Sequence, residues 1–408
     1  MPRGPKQPES RASFSTRLST HRVSPRARVG VLVGVLACLA VSLVGCGSTT
    51  YAQLPSERDL SPIAGLVAEN GRLGRTTTMH TTSMPDEPDI RVAIHEVGSG
   101  DKPTKIILIH GVFTDSATWR YVAPTLAQDY DLWLVDSPGC GESESPNPSL
   151  LGPEGYGPQA MADRISQALV DRLSTEPEDL RLELVAHSLG GAIAIRLLGD
   201  PGLRRRFGSL HDRLGSAVLL SPLDVAQNKA DADIIRLATV GGLALTAGDA
   251  VGMVMEEIAV NTIRGVGDPR YAVREEADKR YEILRDKGRR RAMQAQLLQA
   301  IPFDEEFLPI WDEMERKTSI YPNLNMPTLI VWGSRDEVLP VSTGYLLQAM
   351  LPESQLVVVP GAKHSVQLER PIWTAQAIRA FVRGLPVPPP PSEQTLQAQA
   401  PTDLSGDD

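Results

Sequence analysis

Leu182-Glu183-Leu184-Val185-Ala186-His187-Ser188-Leu189-Gly190-Gly191 is a short apolar strand pattern that runs straight into a helical one, Leu189–Leu198. A run of Leu and β-branched residues this short suits a parallel strand buried on both faces. The joint is close to G-x-S-x-G, the strained turn that presents a nucleophilic serine between strand and helix. Bulk two positions before or after the serine would clash there, and Ala186 and Gly190 are both small. Ser188 also stands at a helix N-terminus, where the backbone dipole favours a developing anion. A plain serine cap followed by glycines reads the same in isolation, so the rest of the chain decides.

The same strand type recurs on both sides. Lys105–His110, Leu132–Val135, Ala217–Leu220, Thr328–Trp332 and Leu356–Val359 are short apolar runs, and Ile90–Val97 alternates apolar with polar. Helical stretches Ala160–Leu173, Gly344–Met350 and Ile372–Val382 lie between them. Strands alternating with helices predict an α/β fold with a mostly parallel sheet. Sites in such sheets lie at the carboxyl ends of the strands.

Three strand ends carry suitable groups. Ile106–Ile109 runs into His110-Gly111-Val112-Phe113. A backbone N–H here, Val112 first and Phe113 as the alternative, can point at the same cavity as the N–H of Leu189. Two such donors form an oxyanion hole; His110 itself reads as fixing the loop. Thr328–Trp332 ends in Gly333-Ser334-Arg335-Asp336, and Leu356–Val359 in Pro360-Gly361-Ala362-Lys363-His364-Ser365. A lone loop Asp is usually a turn residue and a lone loop His a solvated one. Together they complete the order Ser188, Asp336, His364, with separations of 148 and 28 residues. That is the Ser…Asp…His order of a nucleophile-elbow fold.

With Asp136-Ser137-Pro138-Gly139-Cys140-Gly141-Glu142-Ser143, these segments resemble the α/β-hydrolase superfamily, in the branch with a helical cap, over roughly residues 75–385. The resemblance implies a core over 75–224 and 325–385 and a cap over 225–324. It implies a triad of Ser188, His364 and Asp336, an oxyanion hole at Val112 and Leu189, and a small ester-like, hydrophobic substrate. It makes the Asp136 turn architectural and Cys140 within it a bystander. No His/Cys ligand spacing and no Gly-rich phosphate loop is present, so neither metal nor cofactor is expected. C–C bond hydrolysis, lactone opening, perhydrolysis and acyl transfer use the same groups and stay open, as does a silent ligand-binding role.

The cap sequence has two characters. Ile234–Val260 is largely apolar and reads either as a lid over an acyl pocket or as the cap's own core. Arg274–Arg291 is dense in both signs and reads as a solvated helical face. Trp119, Phe113 and Trp311 are candidates for a pocket lining.

The N-terminus is compositionally different. The chain has 408 residues and a formal charge of −9, with 41% hydrophobic residues and 3 Cys. Residues 1–45 hold Arg3, Lys6, Arg11, Arg17, Arg22, Arg26 and Arg28 against Glu9, a net +6, which leaves −15 for the rest. An acidic body excludes a basic nucleic-acid surface. Val29–Val44 is apolar apart from Ser42 and follows the basic cluster, as in an export signal. It is short for a bilayer span of ~20 residues, although an uncleaved anchor is the alternative. Leu43-Val44-Gly45-Cys46 resembles the lipobox of bacterial lipoproteins. That implies removal of residues 1–45, lipid on Cys46 and a membrane as partner in the bacterial envelope. Gly47, where an Asp would imply inner-membrane retention, leans toward the outer membrane. Residues 46–74 then read as a tether with one short helix, and 386–408 as a disordered, Pro-rich tail. Oligomeric state is not legible.

Overall fold

A computed structural model describes residues 50–56, 75–223, 237–250, 252–301, 304 and 310–392. The stretch read as an export signal, Cys46 and the end of the tail therefore lie outside the described residues, as does the side chain of Trp311.

Eight strands form one sheet: β1 Arg75–Thr82, β2 Ile90–Val97, β3 Thr104–Ile109, β4 Asp131–Asp136, β5 Arg181–His187, β6 Leu214–Leu220, β7 Thr328–Gly333 and β8 Ser354–Val359. Their order is β1-β2-β4-β3-β5-β6-β7-β8. β1–β2 and β2–β4 pair antiparallel; the other pairs are parallel. The expected α/β architecture is therefore the one the chain adopts. β1 has no counterpart in the apolar runs. Its sequence, Arg-Thr-Thr-Thr-Met-His-Thr-Thr, is polar apart from Met79 because it forms the sheet edge and pairs on one side only.

Strand periodicity fills two cores at once. Ile107, Ile109, Trp133, Val135, Leu184 and Ala186 face one core; Ile106, Leu108, Leu132, Leu134 and Val185 face the other. Successive side chains of a strand point to opposite faces, so an unbroken apolar run serves both. The first core is closed by α1 Pro158–Leu173 and α2 Leu189–Gly199, the second by α9 Pro371–Val382. Buried Trp119 belongs to the second core rather than to a pocket lining.

Between β6 and β7 the chain builds α3 Gly242–Asp249, α4 Met253–Arg264, α5 Arg274–Arg285, α6 Lys287–Ala300 and α7 Trp311–Thr318; α8 Val341–Met350 follows β7. Ile258, Ala259, Val266, Ala277, Leu284 and Met293 give this insertion a core of its own. The apolar half of the cap is thus partly cap core: Leu237, Leu245, Val254 and Met255 pack against it. Among the described residues no helix is long and apolar enough to cross a membrane.

Two peripheral segments behave differently from their composition. Residues 50–56, inside the stretch read as a tether, include the helix Thr50–Gln53 and are fastened to the cap. At the other end Val387 packs on the second core, and the Trp373 indole donates to the Pro388 carbonyl at 3.1 Å. The tail therefore starts docked; residues 393–408 lie outside the described residues.

Candidate active site

Ser188 joins β5 to α2 at φ 53°, ψ −120°. A left-handed φ is unfavourable for a residue with a Cβ, so tight packing must hold it there. It does. A Cβ on Gly190 would lie 2.5 Å from the carbonyl oxygens of both Ile109 and His110, and one on Gly191 2.3 Å from Pro222 Cβ. These distances explain the small residues of the motif. Phe113 (φ 61°) and Ser221 (φ 38°) share the left-handed region, and Asp86 is the other described non-glycine in it. Three of these four strained positions thus lie in loops after β3, β5 and β6, at the carboxyl edge of the sheet.

The loop after β3 lies against the serine. A Cβ on Gly111 would sit 3.0 Å from Ser188 Cβ and 3.1 Å from His187 Nδ1. His110 holds this loop: its Nε2 accepts from the Ser137 N–H at 3.0 Å, so its Nδ1 carries the proton and donates to the Gly111 carbonyl at 2.6 Å. Burial keeps its pKa below the ordinary value, and the neutral ring is the form both bonds need. Leu189, the first residue of α2, has no acceptor for its N–H within the helix.

The turn after β4 supports the loop from behind. Asp136 Oδ1 accepts from the Ser116 N–H at 2.8 Å; Oδ2 accepts from the Glu142 N–H and from His95 Nε2, both at 2.8 Å. Burial would raise its pKa, but these hydrogen bonds, that from His95 foremost, hold the carboxyl below the usual range. Cys140 is buried, and burial pushes its thiol up to about 12, so it is an unreactive thiol at neutral pH.

Asp336 and His364 meet across the ends of β7 and β8. His364 Nδ1 donates to Asp336 Oδ2 at 2.8 Å. Asp336 Oδ1 accepts from the N–H groups of Val338 (2.9 Å) and Leu339 (2.8 Å). An acceptor-only carboxylate fixes the histidine tautomer, leaving the lone pair on Nε2. A Cβ on Gly333 would lie 2.0 Å from the Lys363 carbonyl oxygen, so β7 can approach the histidine loop only as glycine.

Two further residues tie the site together and were not legible in the sequence. His187, next to Ser188, donates from Nε2 to the His364 carbonyl at 3.1 Å, with ring centroids 4.9 Å apart. Burial and the neighbouring His364 hold its pKa well below the ordinary value. Glu369 is buried; its oxygens accept from the N–H of Lys363 at 2.7 Å and of Gly267, in the cap, at 2.6 Å. Burial pushes its pKa up to about 7.

The charged stretch Arg274–Arg291 is not merely a solvated face. Glu276 is buried and pairs with Arg120 at 2.7 Å, Lys279 pairs with Asp115, and Arg280 lies over the Phe113 ring. These contacts seat α5 on the loop after β3. A cleft of about 90 Å³ remains there, lined by Phe113, Asp115, Cys140, Lys279, Ile283 and Met293 among others. Its walls mix apolar groups (Phe113, Ile283, Met293) with charged ones (Asp115, Lys279, Glu282, Arg289).

A serine in a strained strand–helix turn, with a histidine–carboxylate pair after two later strands of a mostly parallel sheet, defines a hydrolase-type α/β enzyme. Residues 104–371 match the alpha/beta hydrolase fold family, and the chain belongs to it. It is 28% identical over 289 residues to an uncharacterized protein of Mycobacterium tuberculosis, covering 67% of this chain and 73% of that one. It is 26% identical over 294 residues to the pimeloyl-[acyl-carrier protein] methyl ester esterase of Aeromonas hydrophila, covering 71% and 99%. Its fold is similar to that of a serine hydrolase from Cycloclasticus zankles, with a TM-score of 0.56 at 19% identity over 76% of this chain and 99% of the other.

Proposed function

We propose that this chain is a membrane-tethered serine hydrolase of ester-like bonds that works through an acyl-enzyme. The observation that carries the reading is the His364–Asp336 pair, bonded at 2.8 Å, with the His364 carbonyl held by His187, the residue beside Ser188. In the proposed cycle Ser188 Oγ attacks the carbonyl carbon while His364 Nε2 takes its proton. Asp336 stabilises the resulting imidazolium. The oxyanion is held by the N–H groups of Leu189 and Val112; losing one such donor costs ~10²–10³ in rate. Collapse breaks the bond to the leaving oxygen, which His364 protonates, so an alcohol departs and the acyl group stays on Ser188. Water then attacks with His364 as base, and the acid leaves. The likeness to a methyl ester esterase supports an ester substrate. The tether is lipid on Cys46, at the cell envelope and on the outer-membrane side where one exists.

The test is turnover of short p-nitrophenyl esters by the full-length protein solubilised from membranes. Wild type should turn over and Ser188→Ala should not. Equal turnover in both would remove Ser188 from the mechanism. Selective turnover of a lactone or a C–C cleavage substrate would move the reaction class and keep the site.

A further inference from the structure

The segment that follows Cys46 does not hang free. Glu256, in the first turn of α4, accepts from the Thr50 N–H at 2.6 Å and the Tyr51 N–H at 3.3 Å. The Tyr51 hydroxyl donates to Asp278 at 2.6 Å and the Ser56 hydroxyl to Glu275 at 2.7 Å, both on α5. The Arg274 N–H donates to the Pro55 carbonyl at 2.9 Å. Leu54 is buried within the cap core beside Ile258, Ala259 and Ala277. Residues 50–56 are a strap bolted to α4 and α5.

The same end of the cap exposes apolar surface. α3, Gly-Leu-Ala-Leu-Thr-Ala-Gly-Asp, has no buried residue, and Leu243 is 85% exposed. Its last residue, Asp249, pairs with Tyr281 and Arg285 of α5, and the chain enters α4 four residues later, beside the strap's anchor at Glu256. An exposed helix of this composition needs a partner or a reason to be wet.

The sequence upstream names the partner. Whether Cys46 is acylated or Val29–Val44 stays as an uncleaved anchor, membrane attachment ends within a few residues of Thr50. Four residues span at most about 14 Å of extended chain. Any bilayer holding the N-terminus is thereby leashed to the cap. We propose that α3 is the membrane-contact surface of this protein, and that the strap holds the cap, not the sheet, against the bilayer. The inference rests on the tether proposed above.

Lipid-borne quenching tests this on the full-length protein reconstituted in phosphatidylcholine vesicles containing spin-labelled lipid. A thiol-reactive fluorophore is placed on Leu243→Cys or, as control, on Tyr345→Cys in α8, which is 57% exposed. Buried Cys140 does not compete for the label. Leu243 should be strongly quenched and Tyr345 not. Glu256→Gln with Tyr51→Phe, which loosens the strap, should lower quenching at Leu243 toward the control. Equal quenching at both positions in membrane-bound protein overturns the inference while leaving the tether. Cys46→Ser fractionation separates the cases: the variant should leave the membrane if lipid is the tether. Wild type recovered only in the soluble fraction would overturn tether and inference together.

Discussion

His187 stands beside Ser188, the proposed nucleophile, and donates its one N–H to the backbone of His364. Its other nitrogen is buried without a hydrogen-bond partner, which a neutral ring tolerates and a charged one would not. The geometry makes it a positioning residue: it fixes the loop that carries His364, the general base proposed above. His187→Ala should therefore lower kcat roughly ten- to a hundredfold with KM for small esters little changed. His187→Gln, which restores an N–H donor, should recover part of the loss. A matched fall in kcat and rise in KM, with no rescue by Gln, would make the effect general misfolding. The triad positions themselves were legible because each stands after its own apolar run. His187 was visible as a letter of the motif, but only the folded chain shows where its ring points.

The strands were legible as elements because burial on both faces leaves unbroken apolar runs, as in Leu132–Val135. β1 was not, because an edge strand of threonines carries no such run. The cap's seat on the core was also hidden. It depends on pairs far apart in sequence, Arg120 with Glu276 and Glu369 with Gly267, that no periodicity reports. Glu369 also has a pH signature. Its carboxyl sits near 7 in the folded chain against an ordinary 4.5, so the folded state binds an extra proton between those values. Stability from this group is full below about 4.5 and is lost as pH rises through about 7. The groups facing it are Arg370, Asp268, Lys363 and the backbone of the cap. In chemical denaturation, wild type minus Glu369→Gln should fall by about 3 kcal/mol between pH 4.5 and pH 8. A flat difference would mean that Glu369 ionises freely.

At the scale of the whole molecule, the loops at the carboxyl edge of one sheet lie against a helical insertion, and that insertion holds the strap of residues 50–56. Composition hid this arrangement. Residues 46–74 look like a linker, yet Leu54 is a core residue of the cap and Tyr51 reaches Asp278. The +6 of the first 45 residues and the −15 of the remainder fit the two tasks proposed above, export and catalysis, on either side of a fastened strap. Everything functional in this arrangement turns on Ser188 being a nucleophile. The most direct measurement is intact-protein and peptide mass spectrometry of the folded full-length chain after brief exposure to a fluorophosphonate. A single stoichiometric adduct on Ser188, absent in Ser188→Ala, is the predicted result. No adduct on folded protein, or one on another residue, would contradict the account.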